Sequence, residues 1–344
     1  MMNNAEKQIS DEIIGFKNEI AAIQKTITEF EEFGQKSDVA LISEPFAGRT
    51  TLVNTIEKMT AHKITKLSFS SLVKDKDAVK FPEQPKGIVI VDHCHFLFMR
   101  TIGGFNLLDK FLKSVISSDN LFITTWNLYS WNYLDEVINV GQFFPVQLKL
   151  PKFTTLETKE LILSRYKEDE LEFIDDGKTV NKTLINFVRF PITIKPLEKT
   201  FNIPFVTINF NLLRFRLSRK KETKTPEDII FELINYYSNG NPGVAKIIWE
   251  KSLEYPTIKQ SHVKECSFKI ELDYTESFIL YCILSMESVT KEELVAISGE
   301  SKVDEVLHRL LLQSLITTDN EYYNINPEAL NCIIGYLKKS GVIW

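Results

Sequence analysis

Apolar residues recur along the first 150 residues in two periods, which predict helices alternating with buried strands. The segment from Ile13 carries Ile and Phe at spacings of three and four, and Gly34 is placed to end that helix. Strands that alternate with helices indicate a parallel sheet, and therefore an α/β fold. The predicted strands are 39–42, 66–70, 87–92 and 120–125, and the predicted helices after the first are 52–59 and 105–117.

The pattern changes after Pro151. Residues 170–225 are rich in Phe, Ile, Val, Thr and Pro, and we interpret the segment at about 167–225 as a β-rich insertion. A turn at 240–243 separates two helical patterns that follow the insertion. The helices predicted in this part are 155–166, 227–237 and 244–253.

The C-terminal part combines helices with a short hairpin. From Cys266 onward, three helical segments precede two short strands that flank an Asp319–Asn320 turn, an order typical of a winged helix. Three domains are therefore predicted, at 1–150, 151–255 and 256–344.

Composition places the chain among ordinary globular proteins, with 44% hydrophobic and 25% charged residues. Apolar runs fall short of the roughly 18 residues that a membrane span needs, and the first residues lack the apolar core of a signal peptide. We therefore expect a cytoplasmic protein with no membrane span. The net charge of −5 argues against a general nucleic-acid coat, which normally carries an excess of basic residues.

The loop after the first predicted strand has several features of a phosphate-binding loop. Such a loop uses glycine to bring backbone N–H groups to phosphates, a lysine for the β- and γ-phosphates, and a hydroxyl for Mg²⁺. Gly48, Thr50 and Thr51 stand at the required offsets. Ser43 replaces the first glycine and Arg49 replaces the lysine, so an ordinary strand–helix connection is the alternative. Arginine keeps the charge but is a bulky planar group, which favours phosphate binding over correct placement of a γ-phosphate.

Asp92 ends the most apolar predicted strand, where a carboxylate that organises Mg²⁺ is expected; a turn-capping role is the alternative. His93 follows it, at a position where many proteins with such a phosphate-binding loop carry a Glu that activates water. A histidine can act as a base near neutral pH, but we favour weak or absent hydrolysis. A zinc site at His93, Cys94 and His95 is not expected, because alternate strand residues face opposite ways and no further ligand cluster lies nearby in sequence.

In order and spacing, these motifs resemble those of the AAA+/STAND P-loop ATPases, particularly the archaeal-type ATPases and the origin-recognition group. The resemblance covers most of the chain outside about 167–225. It implies a P-loop NTPase parallel sheet of AAA+ type, a helical lid that carries the β-rich insertion, and a C-terminal winged helix.

The resemblance also implies roles for single residues. The box at 13–20, which contains Gly15, would help to hold adenine, and Asn127 would orient the γ-phosphate or water. Asp92, His93 and Asn127 are the implied catalytic residues. Pro242 would approach the base, and Lys246 lies near the second sensor; a strand-end turn and a helix start are the alternatives for Asn127 and Pro242. The implied Mg²⁺ ligands are Thr50 and Asp92, and the implied nucleotide-binding loop consists of Ser43, Glu44, Pro45, Phe46, Ala47, Gly48, Arg49, Thr50 and Thr51.

The departures from the family pattern favour a switch over a motor. The first loop glycine, the lysine and the catalytic glutamate are all replaced. Residues 134–144, where related proteins often place an arginine finger, contain neither Arg nor Lys. The resemblance therefore implies binding of ATP or ADP with Mg²⁺ by a nucleotide-dependent switch, or by a pseudo-ATPase.

Charge distribution bears on the partners. Residues 268–344 carry six basic and twelve acidic residues, a net of −6 that opposes DNA phosphates, so a lid or protein-interaction role is favoured there. A basic cluster lies instead in the β-rich insertion. It is either a solvated strand edge or a contact for nucleic acid or an acidic partner. The cluster contains Arg214, Arg216, Arg219, Lys220 and Lys221.

Three functions are consistent with these patterns. The first is a switch that binds ATP or ADP and hydrolyses ATP slowly or not at all. The second is a DNA-binding ATPase or regulator of origin-recognition type, which would use the basic cluster and the wing. The third is a scaffold that keeps the ATPase shape for a protein partner, bound through the winged helix or the insertion.

Overall fold

The chain divides into two compact units in the computed structural model. The first unit is formed by residues 1–165, 234–251 and 265–344, and the second by 166–233 and 252–264. The residues described are 14–60, 64–74, 87–176, 185–194, 199–208, 224–264, 268, 270–299 and 302–343.

A five-stranded parallel sheet forms the centre of the first unit, in the order β2-β3-β4-β1-β5. Its strands are β1 (Val39–Ser43), β2 (Ile64–Ser68), β3 (Ile88–Asp92), β4 (Leu121–Asn127) and β5 (Val146–Lys149). Every residue of β1, β3 and β4 is buried, as expected for parallel strands that are covered on both faces. The α/β class predicted from the sequence is confirmed.

Helices cover both faces of this sheet. They are α1 (Lys17–Phe33), α2 (Arg49–Met59), α3 (Asn106–Ser117), α4 (Leu128–Ile138) and α5 (Thr155–Leu163). Because successive strand residues point to opposite faces, Leu41 packs with α1 and α2 while Ile42 packs with α3 and α4. Full burial of one such side chain contributes about 1.5–3 kcal/mol, so the two apolar layers account for much of the stability.

The sheet also sets the position of polar residues. Because all five strands run the same way, their carboxyl ends meet at one edge. Ser43 and Asn127 are partners in register there, and Asp92 ends the strand on the other side of β4. This edge is where open α/β sheets bind ligands.

The second unit contains the insertion predicted to be rich in β structure. Its strands are β6 (Glu172–Ile174), β7 (Ile185–Ile194), β8 (Lys199–Ile208), β9 (Leu253–Glu254) and β10 (Thr257–Lys259). β7 and β8 form an antiparallel hairpin, whereas β10 pairs with β6 and β9. The basic residues from Arg214 to Lys221 lie outside the described residues.

The remaining helices and strands lie after the insertion. They are α6 (Pro226–Ser238), α7 (Pro242–Ser252), α8 (Tyr274–Met286), β11 (Val289–Thr290), α9 (Lys291–Ser298), α10 (Val303–Leu312), β12 (Ile316–Asp319), β13 (Tyr322–Ile325) and α11 (Leu330–Lys339). The three C-terminal strands form an antiparallel sheet in the order β11-β13-β12. The three helices and the hairpin predicted from the sequence are present, and α11 is an addition. The winged-helix assignment and the three-domain division stay predictions.

The predicted boundaries of two elements, α2 and β2, differ from the observed ones by a few residues. α2 begins at Arg49 rather than at 52, because the polar residues after Gly48 already form its first turn. The strand predicted at 66–70 runs from Ile64 to Ser68. Within the described residues, no helix combines the length and the apolar character needed to cross a bilayer.

Replacement of Phe111 by Ala tests the contribution of the layer under α3. Phe111 is completely buried and packs edge-on against Phe122 at 6.0 Å between ring centroids. We expect Phe111→Ala to lower the free energy of unfolding by about 3–5 kcal/mol, because it removes buried surface and leaves a cavity. Ile116→Ala, on the same helix with a side chain that is 67% exposed, is the control and should change it by less than about 0.5 kcal/mol. Urea denaturation measures both, and similar losses in the two variants would contradict the assignment of this core.

Candidate functional site

The loop between β1 and α2 is a tight turn at the N-terminus of α2. Phe46 and Gly48 adopt left-handed backbone conformations, with φ of 62° and 94°, and the second of these suits glycine because it has no Cβ atom. Gly48 is the N-cap of α2, and no side chain of the described residues makes a capping hydrogen bond to this end of the helix. The N–H groups of the first turn and the helix dipole therefore make the loop a candidate anion site.

The N-terminus of α7 holds this loop in place. Asn241 Nδ2 donates to the Pro45 carbonyl at 2.8 Å, and the Gly243 N–H donates to the Phe46 carbonyl at 3.0 Å. Asn241 Oδ1 accepts from the N–H groups of Gly243 and Val244, which caps α7. Gly243 permits this approach, because a Cβ atom there would lie 2.6 Å from the Phe46 carbonyl oxygen.

A cleft of about 1800 Å³ opens beside the loop, which is ample for a nucleotide. Nine of the residues predicted to bind a nucleotide or take part in catalysis line it: Phe46, Ala47, Gly48, Arg49, Thr50, Thr51, His93, Pro242 and Lys246. The other predicted residues are not part of its lining: Gly15, Ser43, Glu44, Pro45, Asp92 and Asn127.

One end of the cleft is apolar and aromatic. The rings of Phe16 and Phe153 meet edge-on, with 5.1 Å between centroids. Gly15 lets the chain pass against Phe153, since a Cβ atom there would lie 2.7 Å from that ring. The Phe16 ring and Pro242 Cγ both come within 4.0 Å of the position that a Cβ atom on Gly48 would take. Apolar side chains therefore adjoin the candidate anion site, an arrangement that suits a heterocyclic base.

Asp92 is completely buried at the end of β3, and among the described residues only Oδ1 of its carboxylate has a hydrogen-bond partner. Thr125 Oγ1 donates to Asp92 Oδ1 at 2.6 Å and accepts from the His93 N–H at 2.8 Å. Asp92 Oδ2 has no hydrogen-bond partner among the described residues, and His93 Nδ1 lies 3.4 Å from it. A buried oxygen without a partner is costly, and a carboxylate oxygen is the donor that Mg²⁺ prefers.

Arg49 is paired with Glu287, the residue that follows α8. The Arg49 side chain is 4% exposed and that of Glu287 is 19% exposed. Arg49 Nη2 donates to Glu287 Oε1, and Asn127 Nδ2 donates to the same oxygen at 2.8 Å. Asn127 Nδ2 also donates to the Leu284 carbonyl at 3.0 Å. Arg49, which was predicted to hold phosphates, and Asn127, which was predicted to orient the γ-phosphate, are therefore joined by a carboxylate from the C-terminal part of the chain.

The surroundings fix the charges of this cluster. Burial opposes ionisation of Glu287, but Arg49 and then His95 lower its pKa to about 2, so the carboxylate is charged at neutral pH. Burial lowers the pKa of His95 to about 3, which keeps that imidazole neutral. Burial also lowers the pKa of His93, although Asp92 and Glu287 oppose the shift.

Sequence reasoning missed three contributors to the site. Glu287 is separated from Arg49 by 238 positions and lies in no motif that we recognised, so only the fold brings them together. Phe153 was likewise visible only as an apolar residue after Pro151. Thr125 carried a usable signal, because a hydroxyl near the end of a buried apolar run needs a polar partner.

No family model matches the sequence, and no curated protein matches it. Structural comparison finds the Thermotoga maritima RuvB Holliday junction branch migration motor, with 16% identity, a TM-score of 0.44, and coverage of 94% of this chain and 96% of that chain. The Aeropyrum pernix ORC2 protein in its ADP form shares 12% identity at a TM-score of 0.42 over 97% of each chain. The ORC1 protein of the same organism, in complex with DNA, shares 11% identity at a TM-score of 0.40 over 97% of each chain. At these scores the likenesses say nothing of the site.

Gly243→Ala tests the contact between α7 and the loop. The added methyl group would collide with the Phe46 carbonyl, so we expect the free energy of unfolding to fall by about 1–3 kcal/mol. Gly335→Ala is the matched control, because Gly335 lies within α11 and a Cβ atom there meets nothing within 4 Å. The control should be neutral or stabilising by up to about 1 kcal/mol. Thermal and urea unfolding measure both, and a Gly243→Ala variant as stable as the control would show that the loop is not held this way.

Proposed function

We propose that this chain binds ATP or ADP and acts as a nucleotide-dependent switch of AAA+/STAND type, with weak or no hydrolysis. The observation that carries the proposal is the Ser43–Thr51 loop, whose uncapped helix start opens into a large cleft with an apolar and aromatic end. Phosphates would lie at the N–H groups of Gly48 to Thr51, and the base would lie between Phe16, Phe153 and Pro242. Lys246, also in the lining, would supply a further positive charge.

The donor groups present fit a Mg²⁺ ion. Asp92 Oδ2 is buried without a hydrogen-bond partner among the described residues, and Thr50 supplies an exposed hydroxyl in the first turn of α2. Carboxylate and hydroxyl oxygens together with phosphate oxygens form the usual surroundings of Mg²⁺ at nucleotides. When bound, the ion would neutralise phosphate charge. Thr125 would hold the Asp92 carboxylate in place through its 2.6 Å hydrogen bond.

Slow turnover follows from the side chains around the phosphate position. Arg49 and Asn127 are both engaged with Glu287, so neither is free to stabilise charge that develops during hydrolysis. His93 stands where a carboxylate would activate water. The lowered pKa of His93 makes it a weaker base than an ordinary imidazole. A protein whose conformation depends on whether a nucleotide is bound needs to bind the nucleotide, but it does not need to hydrolyse it rapidly.

Calorimetric titration with ATP and ADP, with and without Mg²⁺, tests the proposal. We expect binding that Mg²⁺ strengthens, and a Thr50→Ala, Asp92→Asn double variant that loses this strengthening because both proposed Mg²⁺ ligands are changed. The matched control is Thr28→Ala, Asp109→Ala, which alters two exposed positions on α1 and α3 outside the cleft lining. Protein freed of carried-over nucleotide that binds neither ligand would refute the proposal and favour the scaffold. Equal Mg²⁺ dependence in the double variant would refute the assignment of these two residues.

A further inference from the structure

Glu287 combines an unusual backbone with a partly buried charge. It ends α8 with φ of 62° and ψ of −40°, a combination that residues with a Cβ atom rarely adopt. Such conformations persist only where the surroundings enforce them, and they concentrate at functional sites. Glu287 lines the cleft, and its carboxylate contacts Arg49, which also lines the cleft.

The hydrogen bonds of Asn127 are fully used in this arrangement. Its Nδ2 group donates one hydrogen to the Leu284 carbonyl and the other to Glu287 Oε1. Its Oδ1 accepts from the N–H groups of Tyr129 at 2.8 Å and Ser130 at 3.3 Å, which caps α4. An amide group has two donor hydrogens, so Asn127 has none left for a phosphate while Glu287 stays in place.

Arg49 is engaged by the same carboxylate. Its guanidinium contacts the Glu287 carboxylate and the Ser43 carbonyl, and it is almost completely buried. An anion that approached Arg49 would meet a carboxylate of like charge already bound there, and that repulsion is strong where water is excluded. The N–H groups at the start of α2 remain open, since no side chain of the described residues caps them.

We infer that Glu287 holds the place of a γ-phosphate, so that the cleft selects a nucleoside diphosphate over the corresponding triphosphate. The inference rests on the proposed function and names the ligand of that site. The diphosphate would use the open N–H groups of α2 and leave the contacts among Glu287, Arg49 and Asn127 intact. A triphosphate would have to displace the carboxylate from both partners.

The segment that carries Glu287 is anchored independently of its carboxylate. Ser130 Oγ donates to the Ser285 carbonyl at 2.6 Å, and Arg100 donates to Tyr281 Oη at 2.9 Å. The Arg100 guanidinium also lies over the rings of Tyr133 and Tyr281, with its Cζ atom 3.8 and 4.4 Å from the respective ring centroids. Because these contacts hold α8 in place, we expect Glu287→Gln to keep the fold, although it lowers stability by removing the counter-charge of Arg49.

Titration calorimetry of the full chain with ADP and with ATP tests the inference. We expect unmodified protein to bind ADP at least about tenfold more tightly than ATP, and Glu287→Gln to reduce this ratio by about tenfold or more, because the repelling charge is gone. Glu292→Gln, which removes the same charge from an exposed position on α9, is the control and should keep the original ratio. Melting temperatures establish that each variant is folded.

The outcomes separate the inference from the function on which it rests. ATP binding as tight as ADP binding in the unmodified protein, or an unchanged ratio in folded Glu287→Gln, overturns the inference and leaves nucleotide binding intact. Absence of binding by either nucleotide to any variant overturns both. The comparison of ADP with ATP in the unmodified protein needs no substitution, so it decides the question even if Glu287→Gln fails to fold.

Discussion

A nearly completely buried guanidinium requires a counter-charge, and in this protein Glu287 supplies it to Arg49. Loss of one partner from such a pair leaves an uncompensated charge in a poorly hydrated site, which is far more costly than the absence of the pair. The pair fixes the first turn of α2, the end of α8 and, through Asn127, the end of β4. Three distant parts of the sequence thus converge on one carboxylate oxygen.

Much of the first unit could be predicted from the sequence because its signals are local. The apolar runs at 39–42, 87–92 and 120–125 specify buried strands, and a parallel sheet brings their carboxyl ends to one edge whatever the details of the helices. Asp92 and Asn127 could be placed at that edge for this reason. Boundaries of amphipathic segments, such as the strand now observed at 64–68, were less well defined because weak periodicity allows a shift of one or two residues.

The state of the site could not be predicted in this way. The sequence assigned Arg49 and Asn127 to a phosphate, and only the folded chain reveals that an internal carboxylate engages both. Nothing in the residues around Glu287 distinguishes it from the other acidic residues of the C-terminal part, which has a net charge of −6. Pairings over such separations depend on how helices pack, and sequence periodicity carries no information about them.

Two tryptophan residues of β4 and α4, Trp126 and Trp131, lie next to the site and provide an intrinsic fluorescence signal there. Trp126 directly precedes Asn127, is completely buried, and donates its indole N–H to Thr124 Oγ1 at 2.8 Å. It meets Trp131 of α4 edge-on, with 5.5 Å between ring centroids. Trp126 is the chain neighbour of Asn127, and Trp131 lies on the helix that Asn127 caps, so a rearrangement that moves Asn127 would change the surroundings of both indoles. Tryptophan emission would then follow the state of the site without an attached label.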